Sequence, residues 1–190
     1  MRLVAVAAAA VVGVAVLAGC SAGEQANETL PSTSLSGSAE PSATLQPLGP
    51  PDLPMPDEAR EMTAAGAEAF LRYYFAVYNL AQDTMDAQYF RDLARGCETC
   101  DRLAEELETD AARGYAYEGG AITVNGVSPP LLQGTGAELT FSIVQSALTI
   151  VDTNGQAIEE LSFPEISKPA GGVLLTWTGA YWVITQWDIN

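Results

Sequence analysis

The chain reads as an α+β domain in which three N-terminal helices pack on a mostly antiparallel, five-stranded sheet. Three observations predict this. Between residues 57 and 113 apolar side chains recur at three- and four-residue steps, the period of a half-buried helix. After Gly114 the pattern changes to runs rich in Val, Ile, Thr, Tyr and Trp, residues that suit a pleated, half-buried surface. Within those runs Asn154-Gly155 and Thr178-Gly179-Ala180 are hairpin signals. Helices first and strands afterwards is an α+β order, not βαβ.

Pro56-Asp57 places a proline and a capping-type residue where a helix starts. Ala59, Met62, Gly66, Ala69, Phe70, Tyr73, Val77 and Ala81 then form one stripe, which predicts a single long helix from about 57 to 81. Thr84 is placed to cap a shorter helix through Tyr89, Phe90 and Leu93, ending near Gly96. A third helix is expected over 98–113, with Leu103, Leu107 and Ala111 on one face and Gly114 as its stop. Strands are expected near 115–127, 135–152, 156–163, 172–178 and 181–189. Asn154-Gly155 suits a type I′ turn, in which both central residues take positive φ. In the last strand alternation puts Tyr181, Val183, Thr185 and Trp187 on one face, Trp182 and Ile184 on the other.

The segment before the domain has a different composition. Arg2 is followed by Leu3 to Ala18, almost purely Ala, Val and Leu, and too short for the roughly 20 residues of a membrane span. It ends in Leu17-Ala18-Gly19-Cys20, which resembles a bacterial lipobox, so residues 1–19 are expected to be a lipoprotein signal peptide and Cys20 the acylated residue. Residues 20–56 are expected to be a disordered tether. Pro31, Pro41, Pro47, Pro50, Pro51, Pro54 and Pro56 fall there, with Ser, Thr and Gly but no Lys, Arg or aromatic residue. A flexible coil of that length spans roughly 30–36 Å root-mean-square. The domain proper is then 57–190. The expected place is the extracytoplasmic face of the cell membrane, held through lipid on Cys20.

Composition removes several chemistries. The 190 residues carry 8 Lys+Arg against 24 Asp+Glu, a formal charge of −16, and no histidine. Imidazole general acid–base catalysis, Ser-His and Cys-His pairs and imidazole metal sites are therefore excluded. No basic patch exists to displace counterions from phosphates, so a nucleic-acid partner is not expected. Neither a metal nor another cofactor is expected.

Two resemblances add to this reading. The long first helix and the closing Gly179-Ala180-Tyr181-Trp182-Val183-Ile184 hairpin resemble the nuclear transport factor 2-like cone fold, which implies a curved sheet wrapped around a helix with a cavity at its open end. Met55-Pro56 leading into Gly66-Ala67-Glu68-Ala69-Phe70 and Tyr73-Tyr74, then Cys97-Glu98-Thr99-Cys100, resembles a family of uncharacterised actinobacterial lipoproteins. Cone domains host enzymes, binding modules and structural domains alike, and the resemblance supplies a scaffold without an activity. It also implies sheet-to-sheet pairing as a route to a homodimer.

Cys97-x-x-Cys100 is the one constellation with chemistry of its own. An exported chain favours a disulfide, and i, i+3 spacing at a helix start meets its geometric limits. The alternative is thiol–disulfide exchange, opposed by the negative charge of Glu98, Asp101 and Glu105 and by the lack of a thioredoxin-like βαβ context. Two thiolates do not fill a zinc site. Asp152-Thr153-Asn154-Gly155 begins like a calcium loop, but its glycine comes two positions early, and it reads as a turn. Tyr73, Tyr74 and Tyr78 with Asp83 and Asp86 supply the residue types of a cone-fold Tyr/Asp isomerase, although nothing fixes one Asp against one Tyr. Tyr73, Tyr74, Val77, Trp177, Trp182 and Trp187 are the candidate pocket residues. The favoured expectation is a non-catalytic domain binding an apolar ligand or a cell-envelope protein, with an isomerase or a CxxC oxidoreductase as the alternative.

Overall fold

The computed structural model describes residues 47–189. The expected signal peptide, Cys20 and the expected tether as far as residue 46 lie outside the described residues.

The helical stripe is continuous in the sequence, yet the backbone breaks it. Glu58–Arg60 make one 3-10 turn, Glu61 is extended, and helix α1 runs Ala64–Thr84. Thr63 caps α1, its hydroxyl accepting the Gly66 N–H at 2.9 Å. The break is enforced by two contacts on Glu61. The Trp182 indole Nε1 donates to the Glu61 carbonyl at 2.8 Å, and Gly66 packs so closely on the same carbonyl that a Cβ would collide with it. The expected 57–81 helix thus becomes a turn and a helix.

Thr84 closes α1 instead of opening the next helix, donating back to the Leu80 carbonyl at 2.7 Å. Met85 follows in the left-handed region at φ 55°. Asp86 Oδ1 accepts the Gln88 N–H at the start of α2, Gln88–Asp92. Helix α3 spans Glu98–Ala112 and stops at Gly114, φ +75°, as its sequence indicates.

Seven strands follow: β1 Ala116–Gly119, β2 Ile122–Val127, β3 Leu131–Gln133, β4 Gly136–Gln145, β5 Leu148–Val151, β6 Ile166–Trp177 and β7 Trp182–Ile189. The main sheet has the order β2-β4-β6-β7 with β3 also on β4, while β1 and β5 form a separate two-stranded ribbon; all these pairs are antiparallel. The α+β class is therefore the expected one, with a different strand count. The long runs 115–127 and 135–152 each split at the same level. Gly119 and Gly120 both have positive φ, and Gly120 N–H donates to the Ala147 carbonyl. The ribbon is thus the bent continuation of the β2–β4 ladder.

The stretch 156–163 is not a strand. It holds a 3-10 turn at Glu159–Leu161 and touches β5 through single bridges at Ala157 and Phe163. The turn before it stands, though not as type I′: only Gly155 has positive φ, and Asp152 Oδ1 accepts the N–H groups of Asn154 and Gln156 at 2.8 and 2.9 Å. The β6–β7 turn has positive φ at Gly179 alone, the first central residue, which is the type II′ pattern.

The last strand departs from simple alternation. Leu174 faces Gln186 but Leu175 faces Ile184, so Thr185 is an extra residue that turns Trp187 to the side of Trp182 and Ile184. All three are core residues, and Trp187 stacks edge-on against Phe75 (5.1 Å), Tyr78 (6.2 Å) and Tyr74 (6.3 Å) of α1. Residues 93–95 cover the outer edge of β7, with Arg95 N–H donating to the Ile184 carbonyl and Ile184 N–H to that of Leu93.

The packed part begins before residue 57. Met55 is buried, its N–H donates to the Leu48 carbonyl at 2.7 Å, and the Tyr73 hydroxyl donates to the Leu53 carbonyl at 3.0 Å. Residues 47–56 therefore belong to the domain as a strap, not to the expected tether. Core side chains run from Met55 to Trp187, within a compact unit Thr44–Asn190.

Because Thr185 is the extra residue, deleting it should leave Trp182, Ile184 and Trp187 on one face in regular alternation and cost far less than the roughly 3–5 kcal/mol of Trp187→Ala. Urea unfolding of both variants checks this; a deletion variant as unstable as Trp187→Ala would refute the reading of Thr185 as the extra residue.

Candidate functional site

Six aromatic or apolar residues were expected around a pocket, and the structure packs them elsewhere. Tyr74, Val77, Trp182 and Trp187 are fully enclosed core residues. Trp177 lies against the core, its ring 5.3 Å from that of Trp182, and Tyr73 is tied to the strap. The centre of the cone is thus filled with aromatic rings. The expectation that these residues form a pocket is corrected: large side chains from α1 and β7 pack against one another there, and none of the six lines the cavity described next.

A cavity of about 670 Å³ lies instead between α3, the C-terminal half of α1 and the β1–β5 ribbon. Its apolar wall comes from Leu103 and Leu107 of α3, Leu148 and Ile150 of β5, and Leu161, Phe163 and Ile166 beyond the ribbon. Phe163 is 52 % exposed, a large side chain left at the opening. The polar groups include buried or half-buried Tyr78 and Gln82 of α1, Asp110 of α3, Tyr117 of β1 and Gln145 of β4, with Thr109 exposed. Arg102, Glu105, Glu106 and Arg113 form an exposed rim. Size and lining are those of a small-molecule site, mostly apolar with a few placed polar groups.

Most of the charge around this cavity is already engaged. Arg102 pairs with Glu106 at 2.8 Å and Arg113 with Asp110 Oδ1 at 3.3 Å. Asp110 Oδ2 accepts the Tyr117 hydroxyl at 2.8 Å. Both Asp110 oxygens are taken, so the one buried carboxylate of the cavity is engaged, while Glu105 stands on the exposed rim. Burial pushes Tyr78 up to about 12, helped by the charge of Glu106 and opposed by Arg102. Burial first, then the bond to Asp110, raises Tyr117 as well. The cavity tyrosines are neutral hydroxyls at physiological pH.

The other candidates have defined places. Cys97 and Cys100 form a disulfide, each only 1 % exposed, and Cys97 Sγ accepts the Cys100 N–H at the start of α3. Burial denies an attacking thiolate access, so the bond is a local staple at that helix start. Asp86 caps α2, and neither it nor Asp83 lines the cavity with Tyr78. Asp152 closes its turn, and the N–H groups of Gln156 and Asn154 hold its carboxyl below the usual range.

Gln82, Asp110 and Tyr117 were missed in the sequence. A signal was present: Gln82 continues the Tyr74-Tyr78 series at four-residue spacing, and Asp110 follows Leu103 and Leu107 on the buried face of α3. Polar residues at such positions mark either a buried network or a cavity wall.

Replacing both cysteines with serine should lower stability by about 2 kcal/mol or less, because the closed loop is short and a hydroxyl in place of the Cys97 sulfur would keep the cap. Comparison of thermal melts with the oxidised form checks this, and a loss several times larger would contradict a local staple. Stability should also fall with alkaline pH. A tyrosine whose pKa is about 12 in the folded state and about 10 when unfolded favours folding below pH ~10. That advantage is lost as pH rises from about 10 to 12, because the unfolded chain ionises first. Urea midpoints measured across that window should drop in wild type and drop less in Tyr78→Phe.

A comparison with the curated proteins finds no match. Among solved structures, the intermembrane space region of the chloroplast protein ARC6 is similar over 68 % of this chain and 97 % of that one, with 16 % identity and a TM-score of 0.50. A nuclear transport factor 2-like superfamily protein from Salmonella enterica serovar Typhimurium LT2 is similar over 67 % of this chain and 92 % of that one, with 13 % identity and a TM-score of 0.43. At such identities the likeness speaks of the fold alone. The model of DUF6318, a family of unknown function, matches residues 50–188, and the chain belongs to that family.

Proposed function

We propose that this chain is a lipid-anchored domain on the outer face of the membrane that binds a small, mainly apolar molecule without transforming it. The observation that carries the binding role is the 670 Å³ cavity, whose walls are apolar and whose one buried carboxylate, Asp110, is already bonded on both oxygens. The anchoring role rests on the apolar run and the Leu17-Ala18-Gly19-Cys20 tetrapeptide. No described helix is long and apolar enough to cross a membrane.

The expected result is that the protein purified natively from its own membranes retains a small molecule at one copy per chain, seen by native mass spectrometry. Leu103→Trp, which fills the cavity from its partly exposed side, should lose it. Cys20→Ser should move the chain from the detergent phase to the aqueous phase on partitioning. A Leu103→Trp variant that keeps the ligand would sink the cavity reading, and unchanged partitioning of Cys20→Ser would sink the anchor.

A further inference from the structure

The inner wall of the cavity carries an unfilled hydrogen-bonding pair. Gln82 is 2 % exposed; its Nε2 donates to the Tyr78 hydroxyl at 3.4 Å, while its Oε1 has no partner. A buried amide oxygen left this way is costly, about 1–3 kcal/mol. Among the described residues nothing accepts the Tyr78 proton either. One acceptor and one donor therefore stand side by side on two adjacent turns of α1, both on the cavity wall.

Building on the binding role proposed above, we infer that the ligand is a neutral amphiphile that enters hydroxyl-first: an apolar chain or ring bearing an alcohol. A hydroxyl donates to Gln82 Oε1 and accepts from the Tyr78 hydroxyl, filling both vacancies with one group. The fit survives exchange of the amide oxygen and nitrogen, because a hydroxyl answers either end. Gln82 Oε1 is enclosed at the wall, so the amide must turn about its soft terminal torsion as the hydroxyl enters, giving up the 3.4 Å bond of Nε2 to Tyr78.

The alternatives fit less well. A carboxylate has no proton to give Gln82, and the two rim guanidinium groups are already paired with Glu106 and Asp110, while Glu105 has no cation within ion-pair distance. An anion would enter against that excess negative charge. A cation would find no uncommitted carboxylate at the inner end. A pure hydrocarbon would leave the Gln82 oxygen unsatisfied in a still drier site.

The test is isothermal titration of the purified full-length protein with n-octanol, octyl methyl ether and octanoate. The alcohol should bind about ten-fold more tightly than the ether, which cannot donate, and ten-fold or more over octanoate. In Gln82→Leu, which keeps the bulk of the side chain, alcohol and ether should bind alike. Equal binding of alcohol and ether to wild type would overturn the hydroxyl assignment while leaving the cavity reading intact. A preference that survives in Gln82→Leu would overturn it too, as would octanoate binding as tightly as the alcohol. If neither neutral probe binds, the binding role itself fails, and the two failures are distinguishable.

Discussion

Two indole rings on one short strand determine how the helices and the sheet meet. Trp182 reaches the Glu61 carbonyl and so fixes where α1 begins; Trp187 is packed against three aromatic rings of the same helix. Both rings reach the core from the same strand only because Thr185 is bulged out. With Thr185 held in regular alternation instead of bulged, Trp187 would point away from α1. The entry of the helix, its tilt over the sheet and the filling of the cone all follow from this arrangement.

The position of the cavity is a consequence of that filling. With Phe70, Tyr74, Phe75, Phe90 and Trp187 occupying the centre, the apolar cavity lies toward the end where the sheet bends away. The bend at Gly119-Gly120 carries the β1–β5 ribbon out of the main sheet, and α3 does not close the gap it leaves. Side chains from α3 and the ribbon line that gap with leucine and isoleucine. The site is therefore a product of strand bending, while the aromatic residues serve cohesion.

Much of the fold was legible in the chain, for physical reasons that can be named. Periodicity gave the helical half and the turn to β structure, since burial on one face imposes a fixed repeat. Gly114 and Gly179 were readable because their backbone angles favour glycine. The breaks were not legible. Whether Glu61 stays helical depends on Trp182, far along the sequence, and the Thr185 bulge depends on register with β6. Residues 47–56 have the composition of a linker, but Met55 and the Leu53 carbonyl find partners that composition cannot reveal. The candidate site suffered most. Large aromatics looked like pocket material, whereas the informative residues were two polar ones, Gln82 and Asp110, set into otherwise apolar helix faces.

The strap has a mechanical consequence. A pull on the chain at residue 47 does not act first on a helix end or a sheet edge. It meets the bond between Leu48 and Met55, then the Tyr73–Leu53 bond and the buried Met55 side chain. These contacts are few and local, so they can yield one after another while the sheet remains paired. Residues 47–56 would therefore peel before a pull from the amino-terminal side reached the start of α1, and the aromatic core and the cavity would be loaded last.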